Sequence, residues 1–217
     1  MKKNIVLFSL FILPIVAYLF FASGVHNFTH LPTVTESIPD IKNFKNASGE
    51  EFSLEDKITV LVFPGTKILY NKGDAFNLNQ KIYEKVMGFK DFQLICIAPL
   101  GTADQILELQ EELGRISDMS KWNYIFASPE EIEKYYSQLN LLGKLDENLR
   151  TPNVFIIDKE RNLRGRKGNN KKGEPEYKEG YNSISAADLH NEMGDDIKII
   201  LAEYRLALKK NSADRKK

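Results

Sequence analysis

One cysteine, Cys96, and three histidines, His26, His30 and His190, are the side chains in this 217-residue chain best suited to redox, metal or proton chemistry. A single thiol excludes an intrachain disulfide and a CxxC redox pair. Cys96 lies inside the apolar run FQLICIA. Reactive thiols need exposure and a positive neighbourhood, so Cys96 is expected in the core. His26 and His30, in HNFTH, are four apart, a spacing that shares a metal on a helix. No third ligand is nearby and prolines follow, so a tether or interfacial role is expected instead. His190, among acidic neighbours, reads as part of an exposed helix face. Pro64-Gly65-Thr66 is a turn after a strand without P-loop spacing. Of the carboxylates Glu130, Glu131 and Glu133, two fall in a first helical turn, where they favour the helix dipole. Capping accounts for them without acid–base chemistry. No metal and no cofactor is expected.

These residues need elements to position them. Ile58–Phe63 is short, apolar and rich in β-branched residues, the pattern of a buried strand. Gly73–Val86 carries Phe76, Ile82, Tyr83 and Val86 at helical spacing. Phe92–Ala98 is a second buried strand. Thr102 and Gln105 have capping-box spacing, and Ile106, Leu109, Leu113 and Ile116 continue a helical stripe. Asn123–Ala127 is a third strand. Ser128-Pro129-Glu130-Glu131 combines a serine cap, a proline at the first helical position and a glutamate three residues on. Thr151–Asp158 is a fourth strand, Lys159–Asn162 a turn, and Leu163–Arg166 a returning strand. Residues 167–176, KGNNKKGEPE, contain no apolar side chain and predict a solvated, mobile loop. Tyr177–Tyr181 predicts an edge strand. Ser185 caps a last helix bearing Leu189, Met193, Ile197, Ile200, Tyr204 and Leu208, and residues 209–217 form a basic tail expected to fray. Strands alternating with helices define an α/β layered domain, and the late hairpin makes its sheet mixed.

The 30 basic and 30 acidic side chains balance, so nothing in the composition points to nucleic acid. Lys2 and Lys3 precede an uncharged run, Ile5 to Ala22. As a helix it would reach about 27 Å, close to a bilayer core, and the basic flank would stay in the cytoplasm. The remainder would face the periplasm or extracellular space. The rival reading is a cleaved signal peptide ending at Ala22-Ser23-Gly24, which would leave a secreted protein. The expected organisation is an anchor or signal over 1–24, a tether over 25–40, a domain over 41–208 and the tail.

Thr151-Pro152 followed by NVFIIDKERNLRGR resembles the thioredoxin-like fold, in particular its extracytoplasmic branch. With an N-terminal anchor, a tether and one three-layer domain, the chain looks most like the Sco type, the membrane-anchored copper and redox proteins of cytochrome oxidase assembly. The resemblance spans roughly residues 38–208. It implies a cis peptide before Pro152, a CxxxC pair just after the first core strand, and a histidine shortly before the strand ending in Asp158. The first of those regions is 66–73, TKILYNKG, without sulfur, and the histidine position falls near Arg150. Cu(I) needs soft thiolate or imidazole ligands, so neither copper binding nor dithiol exchange carries over. In that architecture the two loops adjoin, which makes Thr66, Lys67, Arg150, Thr151 and Pro152 a candidate cationic ligand or partner-contact site. The expected function is a non-catalytic assembly or interaction module, by analogy for a respiratory complex. The alternative is a small-ligand protein or enzyme using the pocket between the 64–73 loop and Pro152.

Overall fold

The computed structural model describes residues 8, 10–16, 18, 30–170 and 172–214, with side chains as far as Arg205. Strands β1 (Thr33–Thr35), β2 (Ile58–Val62), β3 (Phe92–Pro99), β4 (Trp122–Ala127), β5 (Asn153–Ile157), β6 (Leu163–Arg164) and β9 (Tyr181–Asn182) make one sheet of seven. Its order is β1-β6-β5-β2-β3-β4, with β9 also on β5. β2, β3 and β4 run parallel, while β5 is antiparallel to β2 and β6. This is the mixed sheet expected of the sequence.

Alternation along the strands divides the core in two, because successive strand side chains point to opposite faces. Val60, Leu94, Cys96, Tyr124 and Ile156 face one layer of helices. That layer holds α1, α2 and α4. Helix α1 runs Lys72–Leu78, passes through a π turn at Asn79–Tyr83 and ends with Glu84–Val86. Helix α2 is Ala103–Gly114. Helix α4 begins at Ala186–Asp188, has its own π turn at Leu189–Met193 and continues as Gly194–Asp214. Leu61, Phe63, Ile95, Ile125 and Ile157 face the other side, against α3 (Pro129–Ser137) and the segment containing Ile38, Ile41 and Leu54.

The motif behind the resemblance has a local cause. Asp158, the residue just after β5, is fully buried, and its Oδ1 accepts from the backbone N–H groups of Glu160 and Asn162. Its Oδ2 takes the Arg164 guanidinium at 2.9 Å. One carboxylate thus folds the KERN turn and anchors the return strand, with its charge paired as burial demands.

Five expectations change. The tether of 25–40 is already folded by residue 31: Leu31 and Ile38 are buried and β1 pairs with β6. Residues 167–176 are not a structureless loop; Arg166–Asn169 (β7) and Pro175–Lys178 (β8) form an exposed hairpin. Its turn is held by Asn170, whose Oδ1 accepts from Lys172 N and Glu174 N, an Asx turn that needs no apolar residue. Ile116 lies beyond α2 and is exposed. The helix is continuous into the basic tail, as far as Asp214. The peptide before Pro152 is trans, as are all those described. Thr151 N donates to Phe63 O, and Pro152 O accepts from Ser183 N at 2.8 Å, so the chain enters β5 as a continuation of strand pairing. Among the described residues no helix is long and apolar enough to cross a membrane. Phe8, residues 10–16 and Tyr18 are helical; the rest of Ile5–Ala22 lies outside the described residues, as does His26.

Candidate functional site

The loop after β2 and the loop before β5 meet. Pro64 and Arg150 form a β-bridge, and Thr66 N donates to Asn148 O at 2.9 Å. Gly65 permits this approach. It has φ +71°, and a Cβ there would sit 2.5 Å from Asn148 O and 2.7 Å from Arg150 Cβ. Only glycine combines that backbone with that clearance. Asp146 holds the opposite loop, its Oδ1 accepting from Asn148 N and Arg150 N at 2.9 Å each.

Arg150 then reaches across to helix α1, where its Nη2 donates to Asp74 Oδ2 at 2.5 Å. Asp74 lies in the first turn of α1, a position that favours a carboxylate. Behind this pair is a cavity of about 40 Å³ bordered by Pro64, Cys96, Tyr124, Arg150 and Thr151. That volume holds about one or two water molecules. It is far below the roughly 300–1,000 Å³ of small-molecule sites.

Cys96 is on the cavity floor, buried, with Trp122 Nε1 donating to its Sγ at 3.3 Å. Burial pushes its thiol up to about 12, which the indole N–H only partly offsets. It is therefore protonated at neutral pH and is no nucleophile. The Tyr124 hydroxyl beside it has no hydrogen-bond partner among the described residues, and burial raises its pKa well above the ordinary phenol range.

The site differs from the one expected. Arg150 and Thr151 border the cavity, but Thr66 and Lys67 are exposed outside it. Pro152 is half-buried, its carbonyl engaged by Ser183 N and Oγ. Among the described residues no cationic cluster forms there, because Arg150 is paired with Asp74. Sequence reasoning missed Asp74; its only signal was an acidic residue in the first turn of the helix after the loop. It also misassigned Gln105. Thr102 Oγ1 donates to Pro99 O rather than capping α2, and Gln105 clamps the loop instead, donating to Thr66 O at 3.0 Å and accepting from Leu69 N. The Ser128–Glu131 capping box is present in full.

The histidines take other roles. His30 Nδ1 is 2.5 Å from Glu203 Oε1 and 3.0 Å from Arg164 Nη2. His190 Nδ1 accepts from Lys85 Nζ at 3.1 Å. Among the described residues no three His, Cys, Asp or Glu side chains are placed to hold a metal ion.

Layered order, mixed sheet and the junction of the β2 and β5 loops define a thioredoxin-like domain. Its fold is similar to that of solved Sco-type structures. One such structure, "a SCO1/SenC family lipoprotein from Bacillus anthracis str. Ames", is 17% identical with a TM-score of 0.57, over 80% of this chain and 99% of that one. A second, of BsSco, a member of the Sco family of cytochrome c oxidase assembly proteins, is 14% identical with a TM-score of 0.52, over 78% of this chain and 94% of that one. At such identity the likeness is one of fold. No protein-family model matches the chain, and no curated protein does.

Proposed function

We propose that this chain is a membrane-anchored, extracytoplasmic thioredoxin-like protein that serves as a non-catalytic assembly or interaction module, in the manner of a Sco protein without its redox centre. The observation that carries this reading is the Arg150–Asp74 pair. It joins the residue just after 66–73, the region where the resemblance would put a cysteine pair, to the position where it would put a histidine. The frame is kept, and its chemical positions are given to a structural ion pair over a thiol that does not ionise. The respiratory complex as target comes from the description of the BsSco structure. The anchor is Ile5–Ala22; if that segment is cut, the domain is released as a secreted protein. The reading of a small-ligand protein or enzyme in the pocket between the 64–73 loop and Pro152 is disfavoured by a cavity of about 40 Å³.

The test is a crosslinked affinity purification of the full-length protein from its native membranes, read by mass spectrometry. Enrichment of terminal-oxidase subunits or their assembly factors is the expected result. Good recovery of the bait without them would refute the respiratory role.

A further inference from the structure

An apolar recess with a cationic rim lies remote from the site above. The π turns of α1 and α4 pack against each other, and alongside them a groove of about 500 Å³ lies between the two helices. Its lining includes the apolar side chains of Val86, Phe89 and Leu201. Its rim carries Lys81, Lys85, Lys198 and Arg205. Lys198 alone pairs with a carboxylate among the described residues, the exposed Asp195. Lys85 Nζ lies 3.1 Å from His190 Nδ1, and the Arg205 guanidinium lies over the Phe89 ring. The volume is that of a genuine ligand site. An apolar floor beneath a cationic rim suits an amphiphile with an acyl chain and an anionic head.

The chain's path favours a membrane source. The backbone enters the domain beside Glu203, which bonds both His30 Nδ1 and Leu31 N. Arg205 is two residues further along the same helix, about 3 Å along its axis. Only residues 23–29 separate the apolar run from His30, a stretch that spans at most about 25 Å. A spanning run therefore holds this end of the groove near the lipid headgroups, where each basic residue gains from an anionic surface.

We propose that the α1–α4 groove binds an anionic membrane phospholipid, the acyl chain along Val86, Phe89 and Leu201 and the phosphate on Lys81, Lys85 and Arg205. This uses the anchoring part of the function proposed above but not the assembly role, so either can fail without the other.

The experiment is native mass spectrometry of the full-length protein in non-ionic detergent, titrated with phosphatidylglycerol or phosphatidylcholine of the same acyl chains. Phosphatidylglycerol is expected to be retained at least tenfold better. Replacing three basic groups, as Lys81→Glu, Lys85→Glu and Arg205→Glu, is expected to weaken that retention by about 100-fold. The same reversal at Lys167 and Lys172 on the β7–β8 hairpin, a change of about four charges against six, leaves it unchanged and controls for most of the change in net charge. Ala202→Trp, which fills the groove without changing charge, weakens it as well and covers the case in which the triple variant misfolds. Equal retention of the two lipids, or retention indifferent to both groove variants, overturns the proposal. Capture of an acidic helical peptide in place of the lipid overturns it too.

Discussion

The Arg150–Asp74 pair should be measurably stabilising, and a double-mutant cycle tests it. The two side chains are 14% and 24% exposed. Exposed ion pairs contribute about 0–1 kcal/mol, and breaking a fully buried one costs about 3–5 kcal/mol. The pair lies between these limits and makes one charge-assisted bond, not a two-pronged fork. A coupling of about 1.5–2 kcal/mol follows. Arg150→Met strands a half-buried carboxylate, partly compensated by the helix dipole, and is expected to cost about 2 kcal/mol. Asp74→Asn keeps a polar partner and is expected to cost about 1.5 kcal/mol. The double variant should cost less than the sum by the coupling. The assay is equilibrium urea unfolding of the purified full-length protein followed by Trp122 fluorescence. Trp122 is the chain's only tryptophan, and it borders the same cavity. A coupling below about 0.5 kcal/mol, the level of additivity for independent sites, would mean that the pair is incidental. The closed redox frame would then lose its physical basis.

Three further predictions concern the same region and the domain's acid limit. With its thiol near 12, Cys96 has a thiolate fraction near 10⁻⁴ at pH 8, whereas an ordinary thiol is about a quarter ionised; alkylation followed by intact mass should be at least about 1,000-fold faster after unfolding, and equal rates would refute the burial. Gly65→Ala places a Cβ 2.5 Å from Asn148 O at positive φ and should cost about 2–4 kcal/mol in the same unfolding assay. Burial pushes Asp40 up, but the Leu54 and Ile41 N–H groups, the Ser53 hydroxyl and Lys42 outweigh it and leave the carboxyl below its ordinary value. The unfolded state then binds more protons in that window, so this stability is complete above about pH 5 and is lost as pH falls through the depressed folded value. The melting temperature of Asp40→Asn should accordingly fall less between pH 5 and pH 2.5 than that of the parent chain, and parallel curves would refute the assignment.

The sequence by itself determined what depends on neighbours along the chain. β-branched apolar runs made β2, β3 and β5 strands because alternate side chains find a core on both faces of the sheet. Ser128 and Glu131 closed a capping box, and Ser185 caps α4, because those donors lie within one helical turn. TPNVFIID was enough to suggest the fold, and the missing cysteines were visible at once. Tertiary structure alone decided what depends on remote partners. Gln105 had capping-box spacing, yet its amide gains more from clamping the loop at Thr66 and Leu69. Arg150 read as a free cation until Asp74, far off in sequence, was brought against it. KGNNKKGEPE looked unstructured because it buries nothing, but a hairpin needs only a paired backbone and the Asn170 turn. The α1–α4 groove had no signature at all: its cations lie on two helices whose registry is set by packing between their π turns. Local pattern carries the elements, because helix and strand periodicity are properties of the chain. Which charges meet is a property of how those elements stack, and it has no period to read.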